Sequence, residues 1–235
     1  MLLLRSNRRD ITKKSIQSPG MFSSHEVRWF LNGSIEQYPM LRAWVEHGAH
    51  SPKWSGRLGG KPDAYIVIPG AVDMGMKWRE GQLQIKGLES SLGTQVFRAH
   101  EGHHAGKVER WMKWSYEGKS IESAFSPWFS SSQSGPKIVE VQKTRCLRKI
   151  RINPFTGALS EVDASASIDR GGVLEVTDLR VGERSYCSMA FEAFPNDSAM
   201  HGNFTTFVNT FLETLPDIRL EEANSMSYTA WLQTL

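Results

Sequence analysis

The 235-residue sequence contains only two cysteines, Cys146 and Cys187, and no spacing such as C-x-x-C. It therefore predicts neither a zinc-ribbon site nor a disulfide framework, and both cysteines are expected to be reduced thiols. No apolar run approaches the roughly 20 residues that a membrane-spanning helix requires. We therefore expect no membrane partner and a cytoplasmic location.

Several sequence signatures of common enzyme classes are also missing. No glycine-rich phosphate loop follows a strand and opens a helix, so nothing in the sequence supports a P-loop or Rossmann site. No G-x-S-x-G elbow is present, which argues against an α/β-hydrolase. The formal net charge is only +3, well short of the excess typical of a dedicated nucleic-acid binder, so nucleic acid is not an expected partner. The sequence does not predict an oligomeric state.

The first 20 residues, MLLLRSNRRDITKKSIQSPG, combine a short leucine run with basic residues that follow it. A signal peptide has its basic residues before a longer apolar segment, so this pattern does not match one. We interpret residues 1–20 as a disordered leader, with Met21 as a plausible start. Residues 21–235 are predicted to form a single domain.

Short runs with alternating or apolar character recur along the rest of the chain, and they predict strands. One later segment, residues 203–214, has the spacing of an amphipathic helix, whereas residues 35–47 have a weaker helical pattern interrupted by Pro39. Residues 48–62 and 123–136 are predicted loops. Many short strands and few helices favour a mainly β (α+β) fold, a barrel or a sandwich. The predicted strands are 25–31, 64–68, 74–79, 82–88, 108–116, 138–152, 159–165, 173–180 and 186–194.

The clearest hairpin surrounds Glu80-Gly81, because glycine suits the turn position that needs a positive φ. The resulting register places Lys77 opposite Gln84 and Trp78 opposite Leu83. A shift of one residue would mix the two faces, so their clean separation supports this register. One face carries Lys77, Arg79, Gln82, Gln84 and Lys86, and the other carries Met76, Trp78, Leu83 and Ile85.

A second hairpin is predicted at Gly182-Glu183. It places Glu175 opposite Ala190 and Val173 opposite Glu192, so that the two glutamates become diagonal neighbours within reach of one ion. The reverse face is apolar and carries Leu174, Val176, Met189 and Phe191.

A third hairpin is predicted to turn at residues 153–157. It would place Glu161 and Asp163 on the same face as Lys143, Arg145 and Lys149. The strand 108–116 would add Glu109, Trp111 and Lys113 on one side, opposite Val108, Arg110, Met112 and Trp114.

Charged residues that alternate with apolar ones usually mark a solvated outer face. Here the basic residues concentrate in the middle strands and the acidic ones in the late strands, which a random solvated face would not do. A cationic wall facing a carboxylate wall can bind a metal–polyphosphate, because Lys and Arg bind phosphate oxygens while Asp and Glu hold Mg²⁺ or Mn²⁺. We therefore weigh an anion-binding interior against an ordinary exterior.

The order of these charges resembles the CYTH family, the triphosphate tunnel metalloenzymes related to thiamine triphosphatase and class IV adenylate cyclase. The resemblance spans about residues 25–195. It implies an antiparallel tunnel of about eight strands, with a few peripheral helices, that binds a triphosphate and a divalent cation. The matching segments are His25–Phe30, Gly75–Arg79, Gln84–Lys86, Lys143–Arg145, Glu161 with Asp163, and the late Glu175 and Glu192.

The leading hypothesis is a phosphohydrolase that requires Mg²⁺ or Mn²⁺ and acts on a small polyphosphate ligand through a metal-activated water. The family's first strand reads Glu-x-Glu-x-Lys, whereas this chain has Glu26, Arg28 and Phe30, so what it resembles is a divergent member of the family. The second hypothesis is a non-catalytic barrel for an anionic ligand, and the third is an RNA- or protein-binding β module. The phosphate-binding candidates are Arg28, Lys77, Arg79, Lys86, Lys113, Lys143 and Arg145, and the metal-binding candidates are Glu26, Asp163, Glu175 and Glu192.

Two other patterns resemble functional motifs, but we do not expect either of them to mark a functional site. His100-Glu-Gly-His-His104 matches H-E-x-x-H, but the zinc motif needs a helix, and this copy contains Gly102 and lies between predicted strands. We interpret it as a flexible loop that could approach a tunnel mouth. The basic run 148–151 is interpreted as a strand with one solvated side.

Overall fold

The structure is a computed structural model that describes residues 22–55, 61–79, 81–99, 102–117 and 136–235. The predicted leader and nearly all of the predicted loop 123–136 lie outside these ranges. Within them, no helix is both long and apolar enough to cross a bilayer. The strands are β1 (Phe22–Asn32), β2 (Asp63–Val67), β3 (Met74–Arg79), β4 (Gln82–Arg98), β5 (His103–Glu117), β6 (Lys137–Ile152), β7 (Leu159–Val162), β8 (Gly171–Val181) and β9 (Arg184–Phe194). The α-helices are α1 (Pro39–Glu46), α2 (Met200–Leu212) and α3 (Tyr228–Leu232).

Eight of these strands form a closed antiparallel barrel. Their order is β2-β3-β4-β5-β1-β9-β8-β6, and β6 pairs back onto β2 to complete the ring. The short strand β7 is an extra strand that pairs with β6 outside the ring. The predicted fold class, a mainly β protein with a closed barrel of about eight strands and a few helices, is confirmed.

The first two predicted hairpins have the expected registers. Lys77 lies opposite Gln84 and Trp78 opposite Leu83, and Gly81 in the turn has a φ of 82°. In the second hairpin, Glu175 lies opposite Ala190, and Gly182 has a φ of 58°. Both turns use the positive φ that glycine adopts without a steric penalty, so the turn residues fix the pairing on either side.

Alternation along the strands separates the inner and outer faces of the barrel. On β1, Val27 and Trp29 face outward into an apolar core, whereas Glu26 and Arg28 face inward. The outward residues of β8 and β9 join the same core, and the apolar faces of α1 and α2 cover it. The barrel thus keeps its main apolar core outside the ring, which leaves the inner face for polar groups.

The helices begin and pack as their sequences dictate. Pro39 occupies the first turn of α1, where its missing N–H costs nothing, so it starts this helix rather than interrupting it. The predicted helix at 203–214 is confirmed as α2, and its buried side includes Phe204, Phe207 and Phe211. Ser227 caps α3 by accepting a hydrogen bond from the Ala230 N–H at 3.1 Å.

His25 is a buried histidine on the outer face of β1, beside His201 and Phe204 of α2. Neither of its ring nitrogens has a hydrogen-bond partner among the described residues. Burial, together with the positive charge of Arg110 and the neighbouring His201, lowers its pKa to about 4, against a smaller opposing effect of Glu89. Protonating His25 therefore opposes folding.

The unfolded chain, with an ordinary histidine pKa near 6.5, binds more protons than the folded chain between about pH 6.5 and 4. We expect His25 alone to cost on the order of 2 kcal/mol of unfolding free energy as the pH falls from 6.5 to 4.5. Urea unfolding across this range should show a shallower loss in His25→Phe than in the wild type. The exposed-site control His47→Phe should keep the wild-type slope, and an identical slope in His25→Phe would contradict the assignment.

Candidate functional site

The inner face of the barrel surrounds a cavity of about 430 Å³. This volume falls within the range of roughly 300–1,000 Å³ that is usual for small-ligand sites. Nine of the eleven residues predicted for the site line it. They are Glu26, Arg28, Lys77, Lys86, Lys113, Lys143, Arg145, Glu175 and Glu192.

We define the tunnel cluster as the charged side chains that line this cavity together with three close neighbours. Arg79 and Asp63 belong to it because Asp63 pairs with the lining residue Lys77 and with Arg79. Glu109 belongs to it because it accepts a hydrogen bond from Trp111 Nε1 at 3.0 Å, and Trp111 lines the cavity. The cluster, drawn from the described residues, therefore holds seven cations and five carboxylates.

Arg28 lies at the centre of the cluster and bridges two carboxylates. Its Nε is 3.1 Å from Glu26 Oε1, and its Nη1 is 3.1 Å from Glu175 Oε1. Lys86 Nζ approaches the other oxygen of Glu26 at 2.7 Å. Burial alone would raise the pKa of Glu26, but Lys86 and Arg28 outweigh it and lower the value to about 2. Both partners therefore keep Glu26 ionised.

Glu175 and Glu192 differ in how firmly they are held. Glu175 is bound by Arg28 and lies 3.6 Å from Arg145 Nη1, and these cations overcome burial to lower its pKa to about 2. Glu192 accepts a 2.7 Å hydrogen bond from the Ser24 hydroxyl, while Lys86 Nζ is 3.8 Å away. Glu175 is therefore fixed by two cations, whereas Glu192 has one distant cation.

Asp63 pairs with three cations of the tunnel cluster, and we call the part of the tunnel that they form its basic side. Its carboxylate lies 3.2 Å from Lys77 Nζ, 3.4 Å from Lys143 Nζ and 3.4 Å from Arg79 Nε. Burial opposes ionisation of Asp63, but the three cations lower its pKa below the usual value. One carboxylate thus serves three cations, which leaves this side with excess positive charge.

Lys143 lies among aromatic rings next to Asp63. Its Nζ is 4.0 Å from the ring centroid of Tyr228 and 4.8 Å from that of Tyr65, and it donates a hydrogen bond to the Tyr65 hydroxyl. Ring faces attract a cation, but much less strongly than a carboxylate does. Burial, reinforced by the charge of Lys77, lowers the pKa of Lys143 well below its usual value.

Lys113 has no carboxylate oxygen within 4 Å among the described residues, unlike the other cations of the cluster. It lies directly opposite Lys86 in the β4–β5 pairing. Burial and the charge of Lys86 lower its pKa, against a smaller opposing effect of Glu192. A partly buried ammonium without a carboxylate in direct contact is costly, so this position favours an external anion.

Three carboxylates occupy neighbouring positions on adjacent strands. Glu26 lies opposite Glu109 of β5 on one side and opposite Glu192 of β9 on the other. Burial and the nearby Glu26 raise the pKa of Glu109. Among the described residues, no group of three or more His, Cys, Asp or Glu is arranged to hold an ion.

One predicted site residue, Asp163, is placed outside the tunnel. A turn at residues 153–157, as predicted, would place Lys149 opposite Glu161. Instead Ile152 pairs with Leu159, so the connection is one residue longer and Lys149 lies opposite Val162. This single-residue shift turns Glu161 and Asp163 to the opposite face. Asp163 is exposed and binds the N–H and hydroxyl of Ser165, so its predicted position beside the metal ligands was wrong.

Glu161 has a structural role on the outer face. It accepts hydrogen bonds from Arg148 Nε and Nη2, at 3.2 and 2.7 Å. Lys149 donates to the Ala166 carbonyl at 2.7 Å. Two of the three basic residues in the run 148–151 are therefore engaged by the protein itself, whereas Arg151 is exposed.

The interpretation of His103 and His104 as part of a flexible loop was wrong. Both residues lie in β5, with Gly102 at positive φ in the turn before them, while His100 and Glu101 lie outside the described residues. His104 is buried, and its Nδ1 accepts a hydrogen bond from the Leu220 N–H at 3.3 Å. Neither histidine lines the tunnel cavity.

The comparisons with known proteins add little to this geometry. No protein-family model matches the chain, and no curated protein matches it either. Among solved structures, it is similar to a conserved hypothetical protein from Pyrococcus furiosus. That similarity has a TM-score of 0.38 and 12% identity, and it covers 87% of this chain and 98% of the other. It supports no inference about function.

Sequence reasoning missed several residues of the site. Asp63 immediately precedes the predicted strand 64–68 and alternates with Tyr65, so a strand starting one residue earlier would have identified both as inward-facing. Ser227, Tyr228 and Thr229 line the cavity from the C-terminal segment. No periodic pattern marks that segment, so the sequence gives no comparable signal for it.

Proposed function

We propose that this protein binds a polyphosphate-containing small molecule inside its barrel, as a divergent member of the CYTH family. The closed eight-stranded antiparallel barrel fits the tunnel fold implied by the resemblance. The proposal depends chiefly on one observation: six cations and three carboxylates line the cavity inside the barrel, and Lys113 has no carboxylate oxygen within 4 Å among the described residues. A phosphate chain would supply the missing negative charge.

The proposal favours binding over catalysis because of Arg28. In the family's first strand this position carries a second glutamate. Here the guanidinium lies between Glu26 and Glu175, where it satisfies the carboxylates that a metal would otherwise use. Mg²⁺ could still bind as a complex with the ligand, since it commonly takes one or two carboxylates plus phosphate oxygens. Glu192, with its single distant cation, is then the best-placed donor.

Calorimetric titration of the protein with inorganic tripolyphosphate, followed by an assay for released phosphate, tests the proposal. We expect saturable one-to-one binding without metal and no turnover above background. Metal-dependent turnover in the presence of Mg²⁺ or Mn²⁺ would instead support the leading hydrolase prediction. Absence of tripolyphosphate binding under all these conditions would refute both. Binding of single-stranded RNA alone would favour the third hypothesis.

The basic side of the tunnel also predicts a pH dependence. Burial lowers the pKa of Lys77 to about 8, against the opposing charge of Asp63. Above pH 8 the free protein therefore loses this positive charge, and a bound polyphosphate would restore it by raising the pKa. We expect tripolyphosphate affinity to fall between pH 7.5 and 9, with net proton uptake on binding at pH 8.5.

The uptake can be measured by repeating the titration in buffers of different ionisation enthalpy. Lys77→Arg should lose much of the proton uptake while still binding, because arginine remains charged throughout this range. Equal proton uptake in the wild type and Lys77→Arg would show that Lys77 is not the titrating group.

A further inference from the structure

The C-terminal segment, which runs from Leu220 through α3, enters the barrel through a gap between β1 and β5. These strands pair only as far as Val27 and Val108, and beyond that point the segment lies between them. Ala105 N donates to the Leu220 carbonyl at 3.0 Å, and Lys107 N donates to Ser225 Oγ at 2.8 Å. On the other side, the N–H of residue 226 donates to the Arg28 carbonyl at 3.1 Å.

Inside the barrel, α3 fills the cross-section at one end. Trp231 stacks on Phe30 of β1 with ring centroids 4.6 Å apart, and it meets Tyr186 of β9 edge-on at 5.2 Å. Trp231 and Leu232 also share a buried cluster with Val67, Val141 and Leu179. On their strands, these residues lie on the same side as the tunnel-lining charges, so the apolar plug is within the ring.

Two further contacts join this plug to the charged cavity. A Cβ at position 75 would lie 2.6 Å from Thr229 Cγ2, so any larger residue there would require Thr229 of α3 to shift away from β3. Tyr228 lies between the plug and the cluster, with its ring stacked on Tyr65 and facing Lys143. The floor of the cavity is therefore built by the C-terminal segment, with Tyr228 at its surface.

We infer that the tunnel is blind at the α3 end, so that its ligand enters by the opposite mouth and binds through a terminal phosphoryl group. A chain of phosphates could not pass through the barrel, because aromatic and aliphatic side chains occupy its path. This inference rests on the proposed function and narrows it to anions that present a free phosphate end. The interior of a long polyphosphate chain would be excluded.

The number of protein molecules bound per chain of length-fractionated linear polyphosphate tests the inference. A blind tunnel predicts one or two proteins per chain at every length, since a linear chain has two ends. Binding that increases in proportion to chain length, and that is reduced by Lys113→Glu, would overturn the inference. Because Lys113 lines the tunnel, Lys113→Glu should weaken binding inside the tunnel and leave weak association with the outer surface unchanged.

A second measurement uses long chains whose two terminal phosphates are blocked as esters. We expect at least a tenfold loss of affinity relative to unblocked chains of the same length. Equal affinity for the two preparations would overturn the inference. Failure of short tripolyphosphate to bind would instead refute the proposed function itself, so the two failures are distinguishable.

Discussion

Lys113→Glu is expected to reduce tripolyphosphate affinity by on the order of 100-fold, the largest loss for any single change in the tunnel. Each charge-assisted hydrogen bond to phosphate contributes about 1.5–3 kcal/mol, and the new carboxylate would add repulsion to that loss. Because Lys113 has no carboxylate within ion-pair distance among the described residues, its replacement breaks no ion pair. Unfolding free energy should therefore change little. Titration calorimetry and urea unfolding measure the two quantities separately.

Lys107→Glu is the matched control for this variant. Lys107 lies on the same strand, β5, but it is exposed and does not line the cavity, so the same charge reversal occurs outside the cavity lining. It should weaken tripolyphosphate binding by no more than a few fold. Equal losses in the two variants would mean that overall charge, rather than the tunnel, determines affinity.

Arg28→Ala is expected to produce the largest loss of stability, about 3–5 kcal/mol of unfolding free energy. The Arg28 side chain is 11% exposed and its guanidinium bridges Glu26 and Glu175, so its removal leaves one buried and one partly buried carboxylate with fewer partners. Without the Arg28 guanidinium, the pKa of both glutamates should rise. Urea unfolding at pH 7 measures the loss, and the difference between variant and wild type should shrink toward pH 4 as the glutamates become protonated.

Arg145→Ala provides the comparison within the same network. Arg145 is 26% exposed and lies 3.6 Å from Glu175, which keeps Arg28 as its nearer partner. We expect a stability loss of about 1 kcal/mol or less, since this longer ion pair is partly exposed and such pairs contribute little. A loss as large as that of Arg28→Ala would show that the bridge between Glu26 and Glu175 is not the source of the effect.

The part of the site formed by hairpins could be predicted because glycine specifies their turns. Gly81 and Gly182 each set a two-residue connection, and a two-residue loop leaves no freedom in the register. The inward directions of Lys77, Lys86 and Glu175 then follow from alternation alone. The longer connection after Ile152 has no such constraint, and a one-residue error there misplaced Asp163.

The long strand β4 was predicted only as far as residue 88. Its second half, from Glu89 to Arg98, lacks alternation because irregularities in its pairing with β5 occur between Leu88 and Ser90 and between Ser91 and Thr94. A bulge moves the following residues to the other face, so a period of two is lost locally. This explains why the strand pattern disappeared from the sequence while the strand itself continued.

The plug could not be predicted because its fold depends on tertiary contacts. The helix α3 has five residues, too few for a helical period to be recognised or for a stable isolated helix. Its aromatic residues pack against Phe30, Tyr65 and Tyr186, which lie far from α3 in the sequence, on β1, β2 and β9. Phe30 was noted only as a departure from the family's lysine, and its stacking on Trp231 gives that departure a physical role.

A crystal structure of the protein grown with tripolyphosphate shows where the anion binds. We expect it within the tunnel, with phosphate oxygens in hydrogen-bond distance of Lys113 Nζ and Lys77 Nζ and one chain end toward Tyr228. Tripolyphosphate bound only on the outer surface, with the tunnel free of it, would refute polyphosphate binding by the inward charges.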